Sequence, residues 1–221
     1  MRHRELTLRF FALLHRRDRY RTPFRHFLNM EMEEHRQASS DDLHRFERQF
    51  NLATLWSSRV FGDEVFKLFE LGQESSPSGR WRRQRSDLVY EVEMVGFAHA
   101  GERLEPYWNK CQPDQGQLLA EGLRYRLIDA MSRDDFRRTL LERTRDASLV
   151  QDRFRLWIQA VDAAANSPDE LIAEAGSLSD ALNRSSLCDV CDTPVFRDDA
   201  ARGSEPGTRA RIHRYCKLSR T

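Results

Sequence analysis

The sequence predicts a mainly α-helical protein: an irregular multi-helix bundle over residues 1–175, followed by a small cysteine-bearing tail over 176–221. Three observations carry that expectation. Apolar residues recur at helical spacing in segment after segment. No stretch before Leu187 reads as a strand of more than a few residues. Cys188 and Cys191 are separated by two residues, as are His213 and Cys216, in a tail too short to bury a core of its own.

The first helix lies in ELTLRFFALLHRR, where Leu6, Phe10, Leu13 and Leu14 share one face and Arg9, Arg16 and Arg17 are expected to face solvent. Pro23 disfavours helix at Thr22, and a second short helix restarts with Phe24, Phe27 and Leu28 on one side. Ser39-Ser40-Asp41-Asp42 is a start signal for a third helix, whose Phe46, Phe50, Ala53 and Ser57 form a stripe toward the first two. Gly62 can cap its end, and Asp63 can cap a shorter segment over Glu64–Leu71 carrying Val65, Phe66 and Phe69.

From Gly72 to Arg85, Gly, Ser and Pro precede a basic cluster, which predicts a loop. Ser86 caps a helix so broadly apolar, through Leu88, Tyr90, Val92, Met94, Val95 and Phe97, that it should be central; Gly101 is expected to end it. Glu102–Gln117 is expected to be irregular, with Pro106, Pro113 and Gly116 as breakers. Cys111 in that span has no nearby histidine to activate it. Leu119, Leu123 and Leu127 mark the next helix. Ser132-Arg133-Asp134-Asp135 has the form of a capping box before Phe136, Leu140 and Leu141. Val150, Phe154, Trp157 and Val161 make the most regular stripe in the chain, and Ser167-Pro168-Asp169-Glu170 starts a short helix to Ala175, stopped by Gly176.

Composition narrows the function classes. The 36 basic and 35 acidic residues nearly cancel, so global charge gives no argument for nucleic acid. The mean hydropathy is −0.72, no apolar run is long enough to span a membrane, and charges interrupt every short window at the N-terminus. A cytoplasmic protein with no membrane association is expected. P-loop, Rossmann, Gly-x-Ser-x-Gly and His-Glu-x-x-His signatures are all absent from the sequence.

Two places could carry function. Arg80, Arg82, Arg83 and Arg85 surround Trp81; they could grip a nucleic-acid backbone while the indole stacks on a base, or the tryptophan could tuck back onto a helix beside a solvated basic loop. In the tail, Cys188, Cys191, His213 and Cys216 supply three thiolates and an imidazole, the ligand set of a structural zinc site. Such a site can supply on the order of 10 kcal/mol of folding free energy. The alternative is free thiols and a surface imidazole. The chain's other histidines, among them His15 and His35, show no spacing that predicts a second metal site.

The run E-L-x-L-R-F-F-A-L over Glu5–Leu13, followed by Tyr20 and by Phe27-Leu28-Asn29, resembles the helical middle of the GmrSD-type restriction proteins, as does V-F-G-D-E-V-F-K. In that family a ParB/sulfiredoxin-like N-terminal domain precedes the helical part, and some members end in an HNH nuclease module. The tail is similar to that module: Cys188, Cys191, His213, Arg214 and Cys216 match its order, as a ββα-like remnant. It departs where catalysis would sit. No histidine lies between Cys191 and His213, and Lys217 stands where the pattern has Asn. A zinc ligand at His213 could not also serve as general base.

The resemblance implies the C-terminal portion of an anti-phage restriction protein that has lost its HNH residues, working as a DNA-associated or partner-binding module. A separately encoded ParB/sulfiredoxin-like half is the implied partner, since no D-G-Q-Q-R-like string is present. Two alternatives stand beside it. One is an active metal-dependent HNH-type endonuclease. The other is a non-catalytic zinc-knuckle binder in which Arg80, Trp81, Arg82 and Arg83 act with Arg209, Arg211, Arg214 and Arg220 of the tail on phosphates.

Overall fold

A computed structural model of the chain describes residues 2–70, 80–142 and 144–182. Eight α-helices and one two-stranded hairpin occupy them, so the mainly helical expectation holds for this part of the protein. The helices are α1 (Arg2–Arg16), α2 (Phe24–Glu34), α3 (Ser40–Phe61), α4 (Asp87–Trp108), α5 (Pro113–Ser132), α6 (Asp134–Leu141), α7 (Ala147–Ala165) and α8 (Pro168–Leu182). Strands β1 (Lys67–Glu70) and β2 (Arg80–Arg85) lie between α3 and α4.

Helix α4 is the axis of the molecule. Thirteen of its residues are buried, because α3, α7 and α1 cover it on different sides. Its breadth matches the expectation, but its length does not: α4 runs through Gly101 and Pro106 to Trp108. Gly101 is a packing position rather than a stop, since a Cβ there would lie 2.6 Å from Leu52 Cδ2. Pro106 sits in the last turn, where the helix has little left to lose. Pro113, expected to be a breaker, occupies the first turn of α5, where its fixed φ and missing N–H fit the helix start.

Local start signals were legible where side chains answer to neighbours in sequence. Asp42 N–H donates to Ser39 Oγ and Ser39 N–H to Asp42 Oδ2, each at 3.2 Å, which forms a reciprocal capping box. The Ser132–Asp135 box does not form; Arg133 takes the cap position of α6 and Asp135 Oδ1 accepts from the Phe136 N–H instead. Along α7, Val150, Phe154, Trp157 and Val161 are all buried as the periodicity requires. Helix α8 continues past Ala175 and Gly176 to Leu182 instead of stopping at Gly176 as expected.

The segment expected as a short helix over Glu64–Leu71 is different. A 3-10 turn at Gly62–Glu64 leads through Phe66, at φ 63°, into β1, and the basic segment expected as loop supplies β2. The strands are antiparallel, with Lys67 opposite Arg85, Phe69 opposite Trp81 and Glu70 opposite Arg80. Neither strand carries a strong period of its own; the pairing decides them.

Candidate functional site

Cys188, Cys191, His213 and Cys216, with Arg209, Arg211, Arg214 and Arg220, lie outside the described residues. The hairpin arginines lie within them. Arg80, Arg82 and Arg83 are exposed on β2, and Trp81 is the strand's half-buried member. Its indole meets Phe69 at 5.2 Å and Phe61 at 5.9 Å between ring centroids, both nearly edge-on, and the Arg124 guanidinium lies 5.7 Å from its ring. The ring is therefore an anchor that fastens β2 to the core. Glu70 engages two of the arginines, with Arg82 Nε at 2.7 Å and Arg80 Nε at 3.9 Å. Arg85 donates to the Val65 carbonyl, and Arg137 reaches the Phe69 carbonyl from α6. The result is a basic edge held in place by one carboxylate and one indole.

A second cluster is buried where α1, α4 and α7 meet. The Glu91 carboxylate is 3.3 Å from Arg9 Nη1 and 4.0 Å from Arg153 Nη1. Arg153 is 1% exposed and spends its other donors on the carbonyls of Thr139, at 2.6 and 3.1 Å, and Thr144, at 2.8 Å. Burial pushes the Glu91 carboxyl up, with Arg153 and Arg9 pulling the other way, and burial prevails. A cavity of about 200 Å³ beside this cluster is lined by Tyr20, Phe24, Asp87 and Arg145 among others. Glu91, Arg9 and Arg153 each have a charged or hydrogen-bonding partner, so the cluster reads as a lock between helices.

Glu93, two residues further along α4 and so on its other side, is fully buried. Its Oε2 accepts from the Phe66 N–H at 3.1 Å, while Oε1 has no hydrogen-bond partner. Burial drives its pKa well above the ordinary carboxylate range, with the Phe66 hydrogen bond opposing. Glu93 thus holds the backbone at the entrance to β1. Sequence reading missed it because a glutamate in an apolar helix gives no sign of what it faces.

The cluster with the most chemistry per residue was also missed. His15 at the end of α1, Glu31 on α2 and His35 at the end of α2 converge, with one ligating atom from each all within 4.8 Å of the others. Glu31 Oε1 is 2.7 Å from His15 Nδ1 and 3.2 Å from His35 Nε2, and Oε2 accepts from Arg16 Nε at 3.1 Å. The carboxylate is 3% exposed; the imidazoles are 21% and 27% exposed. Burial raises the Glu31 pKa, but the His15 hydrogen bond and the charges of His15, His35 and Arg16 outweigh it and leave it lowered. Glu31-x-x-x-His35 was legible as one helical face; His15 joins only through the turn between α1 and α2. Arg9 and Arg16, expected in solvent, are instead 12% and 10% exposed and ion-paired.

Cys111 follows α4, and its thiol pKa is raised by burial and by Asp169, the opposite of an activated nucleophile. No helix among the described residues is long and apolar enough to cross a membrane. No family model, curated protein or solved structure matches the chain.

Proposed function

We propose that the chain is the C-terminal, helical portion of a GmrSD-type restriction protein, acting as a DNA-associated or partner-binding module whose tail keeps a zinc knuckle but not an HNH nuclease centre. The observation that carries this reading is where the resembling strings fall. Phe10, Leu13, Tyr20, Phe27 and Leu28 from the first string and Val60 and Phe61 from the second are all core residues. The strings thus include residues on which the fold depends, beside exposed positions such as Glu5, Asn29, Gly62 and Asp63. The tail adds Cys188, Cys191, His213 and Cys216 as the zinc set, and its lack of a spare histidine supports a non-catalytic role.

The DNA-facing surface in this reading is the β2 edge. Arg80, Arg82 and Arg83 stand on a strand fastened by Trp81, and they would meet phosphates while the indole stays in the core. Duplex binding by fluorescence anisotropy across a salt series tests it. The expected result is measurable affinity, no plasmid nicking with added magnesium, and a log–log salt slope that falls by roughly one for each of Arg80, Arg82 and Arg83 changed to Ala. Magnesium-dependent nicking abolished by His213→Ala would favour the endonuclease reading. A salt slope untouched by the arginine changes would remove DNA contact by this edge. Copurification with a ParB/sulfiredoxin-like chain from the same operon tests the implied partner.

A further inference from the structure

We propose that His15, Glu31 and His35 form a binding site for a zinc-type divalent transition metal, separate from the cysteines of the tail. The donor set is two imidazoles and one carboxylate, a combination suited to borderline divalent ions and used where metal sites keep an open coordination position. Geometry supports it. Both imidazole nitrogens already address the same oxygen, Glu31 Oε1, at 2.7 and 3.2 Å. Ligands about 2.0–2.1 Å from a tetrahedral ion stand roughly 3.3 Å apart. The His35–Glu31 separation therefore already suits an ion, while the His15–Glu31 pair must open by roughly 0.6 Å. The two imidazole nitrogens, within 4.8 Å of each other, reach the same spacing by side-chain adjustment.

The surroundings favour a cation over a fortuitous meeting of rings. Arg16 holds Glu31 Oε2 and also pairs with Glu34, so one guanidinium faces two carboxylates. Arg16 also fixes the carboxylate's orientation and leaves Oε1 free to turn to the ion, the task of an outer partner in a metal site. Phe46 of α3 walls the site, with its ring 5.0 Å from the His15 ring and 4.9 Å from the His35 ring, and Phe11 stacks on His15 at 5.9 Å. The rings are thereby held before any metal arrives. Glu31 forms the buried floor and the partly exposed imidazoles leave the remaining positions to water. Bound there, the ion would tie the ends of α1 and α2 together against α3.

The test uses the full-length reduced chain with Cys188 and Cys191 changed to Ser, so that tail binding does not mask the signal, and titrates it with zinc against a chromogenic chelator. The expected result is one bound zinc, with affinity at least about 100-fold weaker in Glu31→Gln and in His35→Asn forms whose helical circular dichroism is unchanged. In the unsubstituted chain, zinc added in excess over the tail's cysteine set should move the imidazole NMR resonances of His15 and His35, a reading that requires no variant to fold. A Cys-to-Ser chain that is folded but takes up no zinc, or zinc uptake unaltered by Glu31→Gln, or imidazole resonances of His15 and His35 that stay in place, would overturn the proposal and leave a hydrogen-bonded ion cluster only.

Discussion

Glu93 shows most clearly how a single residue can work against stability while shaping the fold. Its carboxyl fixes Phe66 in a left-handed conformation that a bulky residue seldom adopts, and in doing so it loses its own solvation. Because burial raises its folded-state pKa, the folded protein holds this proton more firmly than the unfolded chain does. Stability from this group is therefore complete below the unfolded value of about 4.3 and is lost as pH rises toward the raised folded value. Glu93→Gln keeps an acceptor for the Phe66 N–H and cannot ionise. Its melting temperature should exceed that of the parent protein at pH 7–8, with the gap closing toward pH 4. Parallel melting curves across that range would show that Glu93 holds its proton no more firmly in the folded protein than in the unfolded chain.

Among the elements, α4 is the most informative, because its two inner glycines do different jobs. At Gly96 a Cβ would lie 2.5 Å from Trp157 Nε1 and 2.7 Å from Trp157 Cδ1, against a fully buried, rigid ring. At Gly101 the closest obstacle is the tip of Leu52, a flexible side chain that can turn away, while alanine gains helix propensity of about 1 kcal/mol. Gly96→Ala should therefore destabilise by roughly 1–3 kcal/mol, the cost of overpacking a fixed core, and Gly101→Ala should cost clearly less. Urea denaturation of the two variants checks the order. Equal losses would mean that Leu52 is held as firmly as Trp157. The hairpin behaves differently from the helices: Trp81, opposite Phe69 and edge-on to Phe61, gives a six-residue basic strand its only apolar hold.

Across the whole molecule, stability converges on the meeting of α1, α4 and α7. Arg153 of α7 pairs with Glu91 of α4, which also meets Arg9 of α1, and it saturates the carbonyls of Thr139 and Thr144 from an almost fully buried position. Truncating one partner of a buried charged cluster leaves the others desolvated and unpaired. Arg153→Ala should therefore cost about 3–5 kcal/mol, a large part of the ~5–15 kcal/mol by which domains are stable. The measurement is the urea midpoint, which should fall with little change in the slope of the transition. A shift of less than about 1 kcal/mol would show that Arg9 alone suffices for Glu91.

The sequence by itself determined the helical class, the turn at Pro23, the Ser39–Asp42 cap and the buried stripe of α7, because each depends on residues within a few positions of one another. It also placed α4 at the centre through the width of its apolar face. What it could not determine was anything set by distant partners. Gly101, Pro106 and Pro113 read as breaks until α3 packs on Gly101 and the two prolines prove to lie in terminal helical turns. The strands exist because Lys67–Glu70 and Arg80–Arg85 find each other across an intervening segment. Likewise, His15 meets Glu31 and His35 only after the chain has reversed between α1 and α2. Helical periodicity encodes contacts three and four residues apart, whereas these features depend on loop closure and burial, whose energetics belong to the assembled tertiary structure.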